Sequence, residues 1–363
     1  MKKVVIIAGD KSGDLYGGYL SKELNEDTDI KIYSFGGDNL ARHSEQIIDL
    51  LQFSICGITE VLSYLRRIRL IFNRTVEAIH SIKPDLIILI DFPDFNLRLA
   101  RKLNNRYNIF YYISPQVWAW RKGRIKLLRE YVRKIIVIFK FEKDFYAEQN
   151  VKVLYFGHPL LDIIEDKVET GKRSEKIISF LPGSRINEVK KHLPVFKKAM
   201  YLIKKELPGY KYRIIKPAHL QEKIYKELCG NEEIIPHSYS AINESEFVIS
   251  SSGTATIEIA ILGIPYIIVY KMNYLTWHIL RRMVKVRFIS MVNLLRSKKV
   301  IDELIQKDVT PRNICRKTVN YLLHKDKYEA LKKDILETKK LLEPRGAVKR
   351  FADFIRGYLK EKG

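Results

Sequence analysis

Short apolar runs alternate with amphipathic stretches along almost the whole chain. In the first half, runs of strand length lie at 4–8, 31–35, 85–90, 109–113, 134–139 and 153–156. In the second half, they lie at 177–181, 212–215, 233–236, 247–250 and 266–270. Continuous apolar runs of this length, separated by helical patterns, are typical of parallel sheets that helices cover on both faces. The pattern therefore predicts an α/β fold.

A polar stretch at 165–176 divides this pattern into two halves. The chain has 363 residues, which suits two domains of ordinary size. We expect two doubly wound, Rossmann-like domains, at 1–168 and 169–340, followed by a helical C-terminal segment at 341–363. Ligands bind such folds at the carboxyl ends of the strands, so we expect a site in a cleft where the two domains face each other.

The chain is strongly basic. Its 65 Lys and Arg against 42 Asp and Glu give a formal net charge of +23. Such an excess favours an anionic partner, which could be nucleic acid, anionic lipid or a phosphorylated substrate, although a lysine-rich proteome would give the same surface. The chain lacks a helix-turn-helix signature and an RNP-like aromatic strand, which argues against nucleic acid.

Cysteine usage and hydropathy indicate the compartment. Cys56, Cys229 and Cys315 are odd in number, far apart and include no C-x-x-C pair. A disulfide framework or a zinc site is therefore not expected, and a reducing compartment fits. The N-terminal apolar run has the length of a strand rather than of a signal peptide, and no apolar run approaches the roughly 18 residues that span a bilayer.

Two loops in the second half are candidates for phosphate binding. The segment S-S-S-G-T-A-T-I-E at 250–258 follows a strand and opens a helix, so backbone N–H groups of the small residues Ser252, Gly253 and Thr254 can approach an anion. Glu258, one turn further on, can accept from ribose hydroxyls. L-P-G-S-R at 181–185 has a tight turn at Ser184 and places Arg185 to grip a phosphate. An ordinary helix cap is the alternative for both loops, although it leaves Arg185 unused.

Two loops in the first half carry carboxylates. A-G-D-K-S-G-D at 8–14 has the strand, glycine turn and helix order with which many nucleotide sites begin. I-D-F-P-D-F-N at 90–96 puts Asp91 and Asp94 at the carboxyl edge of the predicted sheet, where one could act as a general base and the other orient it. Turn chemistry around Pro93, with an N-cap at Asp94 or Asn96, is the alternative.

The segment at 61–74 is basic and amphipathic. Val61, Leu65, Ile68 and Phe72 share one helical face, so a helix packed on one side needs no further apolar residues. A helix at an anionic membrane surface would use the apolar residues off that face together with the arginines. These are Tyr64, Leu70, Ile71, Arg66, Arg67 and Arg69. A second segment, 277–288, has the same character, and a packed helix with a solvated face is the alternative for each.

Taken together, these motifs resemble the lipid-A-disaccharide synthases of Gram-negative bacteria. The match runs in order along almost the whole chain, and S-P-x-V-W-A-W and S-G-T-A-T-x-E are its specific parts. The motifs that match are A-G-D-K-S-G-D, G-I-T-E-V-L (57–62), D-F-P-D-F-N, S-P-Q-V-W-A-W-R (114–121), F-E-K-D-F-Y (141–146), G-H-P-L (157–160), L-P-G-S-R-x-x-E, S-G-T-A-T-I-E and the region at 288–295.

The resemblance implies a GT-B glycosyltransferase whose C-terminal helices pack back on the first domain. It implies transfer of 2,3-diacylglucosamine from UDP to the 6-hydroxyl of 2,3-diacylglucosamine 1-phosphate, with inversion, to give a β-1′,6-linked disaccharide 1-phosphate and UDP. It implies no metal or other cofactor, no nucleic acid, and a cytoplasmic protein that is peripheral on the inner face of the inner membrane. The oligomeric state stays open, with a dimer as one option.

The resemblance also implies roles for individual residues. Asp94 is the first choice for the base and Asp91 the second. The opening loop would contact the acceptor through its polar side chains. Contact between Lys11 and the acceptor phosphate is a hypothesis peculiar to this sequence and is not implied by the family. The remaining implied contacts are Asp10, Ser12 and Asp14 on the acceptor side, and Arg185, Ser184, Ser252, Gly253, Thr254, Glu258 and Asn293 on the donor side. The chain departs from the family at Asp10, Lys11, Arg296 and Ser297, where the family usually has Glu, a small residue, a small residue and Gly.

Overall fold

The structure is a computed structural model in which the chain forms two compact units. The first unit comprises Met1–Asp162 with Pro344–Gly363, and the second comprises Ile163–Glu343. The first boundary falls inside a helix, Pro159–Glu165, rather than in the polar stretch that follows it. The structure describes residues 1–54, 61–119, 121–168, 176–230, 232–273, 277 and 287–361.

Within these described residues, the first unit contains a sheet of seven strands, all of them parallel. All six predicted strands are present, as β1, β2, β4, β5, β6 and β7, whereas the polar strand β3 was not predicted. The strands are β1 (Lys2–Ala8), β2 (Ile30–Gly36), β3 (Glu45–Asp49), β4 (Leu86–Ile90), β5 (Ile109–Tyr112), β6 (Lys134–Val137) and β7 (Leu154–Tyr155), in the order β3-β2-β1-β4-β5-β6-β7.

Helices connect these strands and cover the sheet. Buried residues of β1, β4 and β5 form one core with the inner faces of the helices at 61–82, 93–103 and 124–131. The helices of this part are α1 (Lys11–Leu24), α2 (Asp38–Ala41), α3 (Leu51–Ser54), α4 (Val61–Ile82), α5 (Pro93–Leu103), α6 (Arg124–Tyr131), α7 (Lys140–Glu148) and α8 (Pro159–Glu165).

The described part of the second unit contains a parallel sheet of six strands. The five predicted strands are present, and the short strand β13 at the sheet edge was missed. The strands are β8 (Ile177–Leu181), β9 (Lys211–Lys216), β10 (Glu233–Pro236), β11 (Phe247–Ser251), β12 (Tyr266–Tyr270) and β13 (Glu303–Ile305), in the order β10-β9-β8-β11-β12-β13. The helices are α9 (Ile186–Glu206), α10 (Glu222–Cys229), α11 (Tyr239–Asn243), α12 (Ala255–Ile261), α13 (Met291–Arg296), a 3₁₀ turn (Gln306–Asp308), α14 (Pro311–Leu323) and α15 (Lys325–Lys340).

The last helix, α16 (Ala347–Glu361), belongs to the first unit. Its Phe351 ring packs against Tyr112 of β5 with 4.7 Å between ring centroids. Its start is fixed by Asp162, whose carboxylate accepts from the backbone N–H of Gly346 at 2.6 Å and of Val348 at 3.1 Å. The expected return of the C-terminal helices to the first domain is therefore confirmed.

The strand orders place a topological switch point in each unit. In the first sheet, successive strands are added on one side of β1 and then, from β4 onwards, on its other side. In the second sheet the same change occurs between β8 and β11. In doubly wound sheets, the loops that leave the carboxyl ends of two such strands diverge and leave a crevice for a ligand. The expectation of two doubly wound sheets is confirmed, and the two pairs of loops are where a site should be sought.

Candidate functional site

In the first unit, the loops after β1 and β4 are packed directly against each other. A Cβ atom added to Gly9 would lie 2.1 Å from Cδ1 of the Phe92 ring, so only glycine leaves room for that ring. The next residue, Asp10, caps α1 by accepting from the backbone N–H of Gly13 at 2.7 Å. Close packing of the two loops brings Asp10 into the electrostatic neighbourhood of Asp91.

The backbone of Asp91 is held in an unusual conformation. Asp91 and Phe92 have φ angles of 42° and 47°, in the left-handed region that side chains disfavour. The Asp91 carbonyl accepts from Tyr111 Oη at 2.6 Å and from Asn96 Nδ2 at 2.8 Å, and its N–H donates to the Tyr112 carbonyl at 3.0 Å. Three hydrogen bonds from the framework therefore fix the direction in which the Asp91 side chain leaves the sheet.

The electrostatics of Asp91 are those of a proton acceptor that works near neutral pH. Burial raises its pKa to about 7, and the negative charge of Asp10 adds to the rise. A backbone hydrogen bond from Phe92 and the positive charge of Arg124 oppose the rise. A carboxylate with such a pKa combines sufficient basicity with a large ionised fraction, which general base catalysis requires.

Asp94 lies in a different environment, at the second position of α5. Its Oδ1 accepts from Arg121 Nη1 at 2.9 Å and from Arg124 Nη2 at 2.5 Å. The Asp94 side chain is 68% exposed, whereas that of Arg124 is 11% exposed. Two guanidinium groups on one oxygen hold this carboxylate as an ion-pair partner. The alternative of an N-cap at Asp94 or Asn96 is wrong, because α5 begins at Pro93 and Asn96 bonds backwards to Ile90 and Asp91.

In the opening loop, Asp14 is part of the framework. It is 1% exposed, and its carboxylate accepts from the backbone N–H groups of Gly37 at 2.7 Å and Asn39 at 3.1 Å. Its oxygens fasten the loop after β2, and a contact between Asp14 and a sugar stays a prediction. Asp10 and Ser12 are partly exposed. Lys11 is exposed over much of its side chain, but partial burial of the ammonium group lowers its pKa.

In the second unit, the loops after β8 and β11 meet at Gly183. A Cβ atom added there would lie 3.3 Å from Ser251 Oγ and 2.6 Å from Glu188 Oε2, and the φ angle of Gly183 is +125°. Glu188 closes this turn, since its Oε2 accepts from the N–H of Ser184 at 3.0 Å and of Arg185 at 3.3 Å. The two candidate phosphate loops thus share one edge of the sheet.

The turn directs Arg185 into solvent. The Arg185 side chain is 83% exposed, and its Nη1 lies 3.6 Å from Glu188 Oε1. At this distance and exposure the pair adds little stability, so the guanidinium remains available to an anion. The carbonyl of Ser184 lies 2.9 Å from Nε2 of His219, which braces the turn from the loop after β9.

The loop after β11 is open at its tip. Ser252 is partly exposed, and Gly253 and Thr254 are exposed. Apart from its chain neighbours, no atom of the described residues lies within 4 Å of a Cβ added to Gly253, whose φ angle is +152°. Glu258, by contrast, is 8% exposed, and its Oε2 lies 3.2 Å from Nε2 of His237, a residue that the sequence did not single out.

The His237–Glu258 pair leads to a prediction about pH. Burial lowers the pKa of His237, but the hydrogen bond and charge of Glu258 outweigh burial, and the net pKa lies above the ordinary 6.5. Because the folded-state pKa is raised, the pair stabilises the protein fully below pH 6.5, and its contribution is lost as pH rises through the raised value. We expect His237→Gln to lower the unfolding free energy by about 1 kcal/mol at pH 6 and by less at pH 9. Urea unfolding of both proteins at the two pH values measures this, and an equal difference at both would contradict it.

Asn293 is a framework residue. It is fully buried, its Oδ1 accepts from the N–H of Val300 at 2.7 Å and Ile301 at 2.9 Å, and its Nδ2 donates to the Ile301 carbonyl at 3.0 Å and to Glu303 at 2.8 Å. These four bonds use the whole capacity of the amide. The side chain therefore ties α13 to the approach to β13, and a contact between Asn293 and the donor stays a prediction.

The predicted membrane helix is present as α4, with one residue misassigned. Ile71 is 6% exposed and belongs to the core beneath the first sheet, so its assignment to a membrane contact is wrong. Leu70 is 52% exposed, and Arg66, Arg67 and Arg69 are exposed. The side chain of Tyr64 and most of the segment 277–288 lie outside the described residues. No helix of the described part is long and apolar enough to cross a membrane.

A buried carboxyl group was also missed. Glu142, inside the quoted motif F-E-K-D-F-Y, accepts from Trp118 Nε1 at 3.1 Å and from the N–H of Phe139 at 3.1 Å. Burial raises the pKa of Glu142 to about 7. The hydrogen bond explains one tryptophan of the S-P-Q-V-W-A-W motif as a framework residue, while Trp120 lies outside the described residues. Only the spatial approach of α7 to that loop could have revealed the pairing.

Sequence comparison decides the family. The model of the lipid-A-disaccharide synthetase family matches residues 4–352. The chain belongs to this family. It is 35% identical to a lipid-A-disaccharide synthase of Syntrophus aciditrophicus, over 97% of this chain and 96% of that protein. It is 34% identical to the lipid-A-disaccharide synthase of Persephonella marina, over 98% and 99%. The expectation of a hexosyltransferase that makes the lipid A disaccharide is thereby confirmed.

Solved structures with the same fold are much more distant in sequence. The S. aureus MnaA–UDP complex has a TM-score of 0.71 at 13% identity, covering 99% of this chain and 97% of that one. The UDP-N-acetylglucosamine 2-epimerase of Neisseria meningitidis bound to UDP-GlcNAc has a TM-score of 0.66 at 13% identity, covering 99% and 100%. These likenesses show the GT-B fold that the sequence implied.

Proposed function

We propose that the protein transfers 2,3-diacylglucosamine from UDP to the 6-hydroxyl of 2,3-diacylglucosamine 1-phosphate, with inversion at the anomeric carbon. The observation that carries this proposal is the family match over residues 4–352. The reaction needs a base for the acceptor hydroxyl and positive charge for the departing diphosphate. We assign the base to the switch point of the first unit and the positive charge to that of the second.

We place the UDP moiety in the second unit. The loop Ser252–Thr254 and the adjacent turn Gly183–Arg185 offer small residues and an exposed cation beside each other. Arg185 would stabilise the negative charge that develops on the leaving UDP. Glu258, turned by His237, would accept from the ribose hydroxyls. The solved UDP complexes of proteins with this fold support a UDP-sugar donor.

We place deprotonation of the acceptor at Asp91. The raised pKa and the fixed backbone of Asp91 support this choice over Asp94, whose Oδ1 is held by two arginines. During transfer, Asp91 would take the proton of the acceptor 6-hydroxyl while the oxygen of that hydroxyl bonds to the anomeric carbon of the donor. The bond from that carbon to the diphosphate breaks, and the electron pair leaves with UDP. No metal or other cofactor is required for this step.

A sugar-nucleotide epimerase on the same fold is the second candidate, favoured by the epimerases among the solved structures. The two functions differ in their need for an acceptor. We expect purified protein to release UDP from UDP-2,3-diacylglucosamine only when the phosphorylated diacylglucosamine is added. Conversion of a UDP-sugar in the absence of acceptor would favour the epimerase instead.

We also propose that the protein works at the inner face of the inner membrane, held there by α4. Both substrates carry acyl chains. Helix α4 exposes Leu70 together with the nearby Arg66, Arg67 and Arg69. An exposed apolar side chain flanked by cations suits the boundary between anionic headgroups and acyl chains.

Replacing Leu70 by Asp tests this surface. Removing one inserted leucine should weaken binding to vesicles with anionic lipid by about tenfold, because full burial of a leucine contributes about 1.5–3 kcal/mol. Leu323→Asp is the matched control, since Leu323 is 61% exposed and its replacement changes the net charge equally. Sedimentation with vesicles measures both variants, and equal loss of binding in the two would contradict the assignment to α4.

A further inference from the structure

One buried histidine joins two loops of the second unit. His192, in α9, is fully buried. Its Nδ1 lies 2.8 Å from the Pro182 carbonyl, directly after β8. The backbone N–H of Lys271, directly after β12, donates to its Nε2 at 3.0 Å. The imidazole therefore bridges the carboxyl ends of two strands that are not neighbours.

The two partners determine the form of the ring. A carbonyl can only accept and an N–H can only donate, so both bonds exist only when Nδ1 carries the proton and Nε2 does not. Burial lowers the pKa of His192, which favours this neutral form. The ring also stacks on Phe196, with 6.1 Å between centroids and 20° between planes. Its orientation is thus fixed on every side.

The bridge spans the strand that carries the open loop. In the sheet order, β11 lies between β8 and β12, and β11 leads into Ser252–Thr254. The backbone groups that His192 joins therefore flank β11 on either side. The preceding residue, Lys191, reinforces one side by donating to Asn273 Oδ1 at 2.8 Å. Helix α9 thereby holds the turn that carries Arg185 at a fixed distance from the exit of β12.

We propose that His192 is a positioning residue for the donor site: it holds the turn Pro182–Arg185 and the segment after β12 at the spacing that UDP binding requires. This inference rests on the proposed placement of UDP in the second unit. A side chain that fixes the geometry of ligand-binding groups without touching the ligand acts mainly on affinity, because a small misplacement of Arg185 weakens its bonds to the diphosphate.

The test is the affinity for UDP of the full chain, measured by titration calorimetry. In His192→Phe the ring and its stacking remain while both hydrogen bonds are lost. We expect the dissociation constant of UDP and the KM of the donor to rise about tenfold, which corresponds to about 1.4 kcal/mol, with the KM of the acceptor unchanged. His192→Gln, which can donate and accept, should recover part of the loss.

Ser245→Ala is the matched control. Ser245 is fully buried in the same unit and loses one buried hydrogen bond, the 2.6 Å contact with Ser179 Oγ, at a distance from these loops. It should lower the melting temperature without changing the affinity for UDP. Should His192→Phe fail to fold, His192→Gln is compared with the shorter His192→Asn, which is expected to bind UDP more weakly.

The outcomes separate this inference from the function on which it rests. Wild-type protein that binds no UDP would contradict the proposed function. Wild-type affinity for UDP in folded His192→Phe, or in both His192→Gln and His192→Asn, would overturn the positioning role alone. An equal rise in donor and acceptor KM would overturn it as well, since it would indicate a general loss of structure.

Discussion

Replacing Asp91 with Asn is expected to lower kcat by about 10²–10⁴-fold while leaving the affinity for UDP unchanged, the loss that follows removal of a general base. Asn has the same shape as Asp but cannot accept the proton. The hydrogen bonds from Tyr111 and Asn96 to the backbone carbonyl of residue 91 should therefore persist. Initial rates of UDP release at saturating substrates, together with UDP titration of the same preparation, measure the two effects separately.

The pH profile identifies the base further. Since burial and Asp10 raise the pKa of Asp91 to about 7, wild-type kcat should fall as pH falls through this value and the carboxylate is protonated. Asp10→Asn removes a neighbouring negative charge, so it should move this acid limb to lower pH. Asp94→Asn is the comparison variant. A kcat for Asp91→Asn near that of the wild type, combined with loss of activity in Asp94→Asn, would transfer the role to Asp94.

Replacing Arg185 with Ala should lower kcat by about 10²–10³-fold, the usual effect of removing one group that stabilises charge in the transition state. The Arg185 side chain is 83% exposed and its ion pair with Glu188 is long, at 3.6 Å, so its loss should change the unfolding free energy by no more than about 0.5 kcal/mol. The comparison of kcat with thermal melting therefore separates chemistry from stability.

Two variants sharpen this test. Arg185→Lys keeps the charge but loses the forked donors that match a phosphate, so it should recover only part of the rate. Lys190→Ala removes an exposed cation from α9, the helix that Arg185 precedes, and should leave the rate unchanged. A rate for Lys190→Ala as low as that of Arg185→Ala would show that overall charge, rather than the position of Arg185, determines catalysis.

The sheet topology and the location of the site follow from local pattern. Apolar runs such as Leu86–Ile90 and Phe247–Ser251 are buried on both faces of a parallel sheet and need no context to be recognised. The strands β3 and β13 were missed because strands at a sheet edge are short and partly exposed, and only pairing with a neighbour distinguishes them from loops. Loops at the switch points then follow from the order of the strands.

The roles of single side chains depend on partners distant in the sequence. Asp14 and Asn293 carry groups that suit substrate binding. Both side chains instead accept hydrogen bonds from backbone N–H groups more than five residues away. Ile71 packs in the core together with Phe72 of the predicted face, so the packed face of α4 is wider than the predicted apolar stripe. The sequence did not predict roles for His192, His219 and His237, because their hydrogen-bond partners are distant in the sequence.

The chemical structure of the product tests the central claim most directly. Purified protein is incubated with UDP-2,3-diacylglucosamine and 2,3-diacylglucosamine 1-phosphate, and the lipid product is analysed by mass spectrometry and by NMR of the anomeric proton. The account predicts a tetraacylated disaccharide 1-phosphate with a β-1′,6 linkage, formed in equal amount to UDP and formed about 10²–10⁴-fold more slowly when Asp91 is replaced by Asn. Release of UDP without this disaccharide, or a disaccharide with a different linkage or anomeric configuration, would contradict it.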